Sequence, residues 1–228
     1  MTIEKKLSAL DRIYARYDEY TRQLQVACQK YCAHCCTCNV TLTSLEAVNI
    51  LRALSDNKRA AVRQTLAPRL EKNRYHPGLT INQMAALCAS GQDLPEADND
   101  PDWGACPLLE ADACPIYPVR PFGCRCLLST HNCGDVGYAE IDEYTITVNY
   151  VFSQFIEHLD QNGATGNLSD ILWATTPVTG TVNPTLPTAK SVCHAVKNRP
   201  IPMLLVPPAH QRDIASIVND LHAIVAEA

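Results

Sequence analysis

Residues 28–38 read CQKYCAHCCTC: five cysteines in eleven residues, two of them adjacent. Five more lie at Cys106, Cys114, Cys124, Cys126 and Cys133, and only Cys88 and Cys193 fall elsewhere. Three explanations compete for such a distribution. Disulfides need an oxidising compartment, and the start MTIEKKLSAL has no apolar stretch that would serve as an export signal. Plain burial suits scattered thiols such as Cys88 and Cys193, but not clusters. Soft ligation of a metal suits the clusters, because thiolates two to four residues apart can wrap one centre.

The first group is Cys28-x3-Cys32-x2-Cys35-Cys36, with Cys38 and His34 as further candidates. Neighbouring side chains diverge, so Cys35 and Cys36 are awkward ligands for one ion. They can serve two centres, or one can stand behind the other. In the second group, Cys106-x7-Cys114-x9-Cys124 is too open for a self-contained zinc knuckle. It supplies ligands from separate turns, which Pro107, Pro115, Pro118 and Pro121 stiffen in advance. Arg120 and Arg125 are placed to offset thiolate charge. His131 is the other histidine near a cysteine group.

The motifs CAHCCTCNVTLTSLEA, CPLL and C-P-IY-x-x-RP-x-x-CR carry a resemblance. Over roughly residues 28–130 the chain resembles the cysteine-cluster family of zinc- or iron-chelating domain proteins. Some members are described as iron–sulfur oxidoreductases, and flagellin lysine methylases carry a related cysteine pattern. The resemblance implies Cys28, Cys32, Cys35, Cys36, Cys106, Cys114 and Cys124 as ligands, and Pro121 and Arg125 also match. Cys38, Cys126 and Cys133 are additional to the common pattern, and it does not extend past about residue 135.

Ten clustered thiols exceed the four that close a zinc site. One [4Fe–4S] cluster takes four cysteines and two take eight. The expected cofactor is therefore one or two [4Fe–4S] clusters on these ten residues, with zinc as the alternative and copper(I) behind it. The matching function is an iron–sulfur redox or electron-transfer protein, an oxidoreductase if an iron is left open to substrate. A zinc-stabilised interaction module and a thiol-rich metal store or sensor are the other readings. The spacing Cys28-x3-Cys32-x2-Cys35 also occurs in radical S-adenosylmethionine enzymes, but those need a βα barrel. No nucleophile elbow, HExxH or phosphate-binding glycine loop is present.

The net charge of −5 argues against nucleic acid as a partner. No run is long enough to span a membrane. The expected compartment is the cytoplasm and the expected partner a redox or other protein.

The periodicity predicts a mainly α protein: irregular cysteine-rich loops on a helical scaffold, with few short strands. Residues 1–135 form the metal-binding part and 136–228 a helical C-terminal part packed with it as one unit. A first helix runs through Ile3, Leu7, Leu10, Tyr14, Tyr17 and Leu24 to end near Tyr31, its buried face continuing to Cys28. Further helices are predicted at 43–56 (capping box Thr43/Glu46), 57–73, 80–90, 148–161 and 210–226. Residues 91–105 and most of 163–188 read as irregular, 191–198 as helical and 201–206 as a short extended segment.

Overall fold

A computed structural model of the chain describes residues 1–29, 31–96, 98–176, 190 and 192–228. Among these the protein is mainly α-helical with one small antiparallel sheet, as the periodicity predicts. Elements are numbered in chain order.

Helix α1 (Ile3–Thr21) starts at Thr2, whose side chain accepts from the Lys5 N–H. It buries Leu7, Leu10, Ile13, Tyr14, Tyr17 and Tyr20 against α7 (Glu143–Leu159) and α9 (Gln211–Ala226). Tyr17 stands edge-on to Phe122 (4.7 Å) and Phe152 (5.0 Å) at the centre of this core. Each such buried aromatic contributes about 1.5–3 kcal/mol through area removed from water.

The second core lies among β1 (Thr41–Thr43), α2 (Ser44–Arg52), α3 (Asp56–Leu66) and α8 (Leu168–Thr175). Ile50, Leu51, Leu66, Ile171 and Leu172 fill it. Its sheet runs β1-β2-β3, with β2 (Ala164–Asn167) central. Thr41 pairs with Asn167 and Thr43 with Thr165, while Ala164 pairs with Lys197 of β3 (Val196–Lys197). Strands of two to four residues show no alternation that a sequence could reveal.

Two buried carboxylates lock the elements together. Glu157 of α7 accepts from Thr80 Oγ1 (2.6 Å), Asn82 N (2.8 Å) and Arg199 N (2.6 Å), docking the start of α4 (Ile81–Ala89). Asp160 Oδ2 accepts from Ser44 Oγ, Leu45 N and Asn198 Nδ2, tying the starts of α2 and the β3 strand's exit to the end of α7.

Several boundaries differ from the periodic reading. Helix α1 stops at Thr21, well before Tyr31, so Cys28 is not on its continuation. Instead Ala27 N donates to Ser129 O (2.8 Å), and this tertiary pairing takes the chain out of the helix. The third helix ends at Leu66 and passes into a 3₁₀ turn, Ala67–Arg69, where Pro68 cannot continue an α-helical ladder. Helix α8 falls where an irregular stretch was expected, and 177–189 of that stretch lie outside the described residues. Residues 192–198 are not helical, because Val196 and Lys197 join the sheet. Residues 201–206 form no strand. The Gln154 side chain holds them, donating to Met203 O and accepting from Leu205 N (both 2.8 Å).

Candidate metal centre

The first cysteine segment is shaped by two successive tight turns. Cys32 N donates to Gln29 O (3.1 Å) and Cys36 N to Ala33 O (2.9 Å). Within the first of these Tyr31 sits at φ +73°, a left-handed conformation costly for a bulky residue. The segment then pairs with the second one: Cys106 N donates to Cys36 O (2.7 Å) and Cys38 N to Gly104 O (2.8 Å). Asn39 secures the far end, donating to Asp100 O and accepting from Tyr75 N.

The second segment reverses on itself between its cysteines. Glu110 and Ala113 exchange both backbone hydrogen bonds (2.9 and 2.8 Å). Ala111 and Asp112 between them have φ of +46° and +62°. This is the two-residue hairpin turn that fits the twist of paired strands, and it brings Cys106 back beside Cys114. Cys124 comes from the short helix α5 (Phe122–Arg125).

That helix is placed by two features. Glu46 is 3% exposed and takes four donors: Tyr14 OH and Phe122 N (both 2.7 Å) on one oxygen, Thr43 N and Thr43 Oγ1 on the other. Gly123 lies so close to β1 that a Cβ there would meet Thr41 O at 2.6 Å. Arg125 braces the preceding turn, donating to Arg120 O and Pro118 O and pairing with Asp18. Its donors go to oxygen, so the expected role in meeting sulfur falls to Arg120.

These turns bring Cys28, Cys32, Cys35 and Cys36 of the first segment and Cys106, Cys114 and Cys124 of the second onto one cavity of about 450 Å³. Each of the twelve cysteines is a free thiol. Burial raises the Cys106 thiol to about 11 and pushes Cys114 and Cys124 up as well. The neighbouring Cys35 and Cys36 sulfurs act on each other in opposite senses. Cys35 is thereby held well above the usual thiol range, while Cys36 is lowered despite burial and the neighbouring Cys106, Cys124 and Cys114. Burial lifts Cys28 too, with Cys35, Cys32 and Cys133 adding to it. Arg120 also lines the cavity. Its guanidinium lies over Tyr117 (4.0 Å), its Nε is buried without a partner, and its charge draws Cys35, Cys114 and Cys124 back down.

The other predicted ligands stand apart from this cavity. Cys38 Sγ donates to Asn39 Oδ1 (3.4 Å) and Asn73 O (3.8 Å). Cys126 Sγ donates to Gly123 O (3.7 Å), and burial raises it to about 12. It lines a second cavity of about 630 Å³, which shares Cys35, Val40 and Leu127 with the first. Cys133 opens the short helix α6 (Cys133–Val136), beside the first segment. Cys88 and Cys193 are exposed rather than buried as expected.

Among the described residues, no three His, Cys, Asp or Glu side chains already stand closed around a point where an ion would sit. The donor set nonetheless fits a thiolate-held group. Thiols from three separate turns line one cavity, and Arg120, whose Nε is buried without a partner, lines it too. Glu46 was legible in the sequence only as a capping-box residue. The hairpin at 110–113 gave no signal, since neither Ala111 nor Asp112 is the usual glycine.

Among the described residues, no helix is long and apolar enough to cross a membrane. Comparison with protein-family models, with curated proteins and with solved structures finds no match to this chain.

Proposed function

We propose that this protein binds a [4Fe–4S] cluster through Cys36, Cys106, Cys114 and Cys124 and serves in one-electron redox chemistry. The observation that carries the reading is that four thiols from three independently braced turns line one cavity, which Arg120 with its unpartnered Nε lines as well. Such turns position ligands that sequence spacing alone keeps apart. The resemblance of the cysteine pattern to iron- or zinc-chelating proteins supports the same reading.

Bound there, the cluster would supply reversible one-electron oxidation and reduction. The chain's own contribution is to hold the four thiols and to limit their charge. Arg120 offsets part of the negative charge that four thiolates create. The wall formed by Leu108, Ile116 and Leu168 keeps water from one side of the cavity. Low solvent exposure and donors to sulfur are the protein's means of setting a cluster's potential.

The test is iron, sulfide and zinc content of anaerobically purified protein, with its visible spectrum. Iron and sulfide in equal amounts, lost on Cys106→Ser or Cys124→Ser, support the proposal. Zinc alone in a colourless protein would replace it with a zinc-stabilised module, for which four thiolates suffice.

A further inference from the structure

The cavity of about 630 Å³ beside the metal site plays no part in the reading above. It lies among β1, the start of α4, α5 and α7. Its frame is fixed before any ligand arrives. Glu157 of α7 holds the start of α4 through Thr80 Oγ1 and Asn82 N, and Glu46 of α2 holds α5 through Phe122 N. Gly123 lets α5 close on β1. The volume falls within the range of about 300–1,000 Å³ usual for small-molecule sites.

The lining selects by charge. Among the described residues, no Lys, Arg or His lines this cavity. Its two carboxylates, Glu46 and Glu157, are buried. Their oxygens are taken by Tyr14, Thr43 and Phe122 in one case and by Thr80, Asn82 and Arg199 in the other. An anion there would meet two carboxylates and no cation, and a cation would find no free oxygen. Burying either without a partner is costly. Leu42, Leu79, Ile81, Met84 and Ile156 supply apolar wall instead, and the unbranched thioether of Met84 adapts to what it packs on. Polar donors come from Tyr75 and Tyr150, whose hydroxyls have no hydrogen-bond partner among the described residues. Burial raises the Tyr75 hydroxyl above its ordinary range, so it stays protonated and can donate.

We infer that this cavity binds an uncharged, mainly apolar organic molecule bearing a carbonyl acceptor, with Tyr75 and Tyr150 as the donors that orient it. A few placed polar groups on an otherwise apolar wall are how a small-molecule site fixes orientation. The inference stands on the walls of this cavity and not on what the neighbouring one holds. Cys35, Val40 and Leu127 line both, so one layer of side chains separates the bound molecule from the thiols. On the proposed reading it would sit beside the cluster without displacing a ligand, since none of Cys36, Cys106, Cys114 and Cys124 lines this cavity.

The experiment titrates the full chain, as purified anaerobically, with 9-fluorenone in a calorimeter. This aromatic ketone is uncharged and does not alkylate thiols. It should bind saturably, one per chain. Its 2-carboxylate derivative should bind about tenfold more weakly or worse, because the added charge finds no partner. Tyr75→Phe and Tyr150→Phe should each weaken the ketone by about three- to tenfold, the loss of one hydrogen bond. Met84→Trp, which fills the cavity, should abolish saturable binding. Absence of saturable binding to the wild type overturns the inference, and so does equal affinity for the ketone and its carboxylate. Ketone binding that none of the three substitutions changes places the ligand elsewhere and overturns it too. If Met84→Trp fails to fold, the two tyrosine variants and the carboxylate comparison decide. Metal content is read on the same samples. A chain that binds the ketone but holds neither iron nor zinc sinks the metal reading and leaves this site standing, and a metal-loaded chain that ignores the ketone does the reverse.

Discussion

The two cores of this molecule are closed by different materials. The core between α1, α7 and α9 is filled chiefly by hydrocarbon, with Tyr17, Phe122 and Phe152 interlocked, Leu10, Ile13 and Leu159 around them and Cys126 at its edge. The core between α2, α3 and α8 is equally apolar at its centre, but one wall is made of Cys106, Cys114 and Cys124. Protonated, those thiols pack as small hydrophobes. Deprotonated, they are charged ligands that the same wall holds only if something positive is bound. On the proposed reading, the first core depends on packing, while in the second a bound group would couple occupancy of the site to integrity of the core.

That contrast can be broken in several ways. Phe152→Ala should cost about 3–5 kcal/mol in denaturant unfolding. The protein that remains folded should keep its full metal content. If metal is lost in step with stability, the two cores are not separable.

Asp160 sits at the seam between them and gives the next effect. Burial raises its carboxyl from the ordinary 3.8 to about 7, despite donors from Ser44 and Leu45, and its Oδ1 has no partner. The unfolded chain therefore releases this proton before the folded one does. Stability from this group is present in full below about pH 4, falls as pH rises towards 7, and is flat above. The slope reaches about 1.4 kcal/mol per pH unit at its steepest. Urea midpoints of wild type and Asp160→Asn across pH 4–8 should differ in slope, the variant losing this component. Parallel curves would show that Asp160 is ionised in the folded protein throughout.

Glu46→Gln sharpens the contrast from the other side. It leaves buried donors from Thr43, Tyr14 or Phe122 unmatched, at about 1–3 kcal/mol. Since Phe122 N begins the helix that carries Cys124, metal content should fall further than the stability loss explains, whereas Phe152→Ala should show no such excess. The smallest effect belongs to the surface. Arg12 and Glu227 pair at 2.7 Å between side chains 48% and 63% exposed. Glu227→Ala should change the urea midpoint by well under the equivalent of about 1 kcal/mol and leave the metal untouched.

How much of this was readable in advance depended on what each element rests upon. Helices α2, α4 and α7 carry their own periodicity and caps and α9 its periodicity alone, and the sequence locates all four, though it begins α7 five residues late by missing the Asp142 cap. The end of α1 does not rest on local preference. It is decided by a backbone bond to Ser129, about a hundred residues away, that no local pattern records. Helix α8 could have been found: Asn167 caps Leu168, Ile171, Leu172 and Thr175 at helical spacing. The surrounding Thr and Pro masked it. At the site, the clustering of thiols was plain, and so was the awkwardness of Cys35 beside Cys36. Which thiols face which cavity was not, because that rests on the tight turn at 110–113 and on the docking of α5 through Glu46.

Gly123 carries a last consequence. Helix α5 approaches β1 across the space a single methyl group would fill, and Cys124 is the next residue. Every possible replacement at position 123 adds that atom, so the site has no conservative neighbour in sequence space. In a saturation library selected for bound metal, position 123 should accept no replacement. A carbon atom that is absent would then be under purifying selection as strict as that on the sulfur next to it.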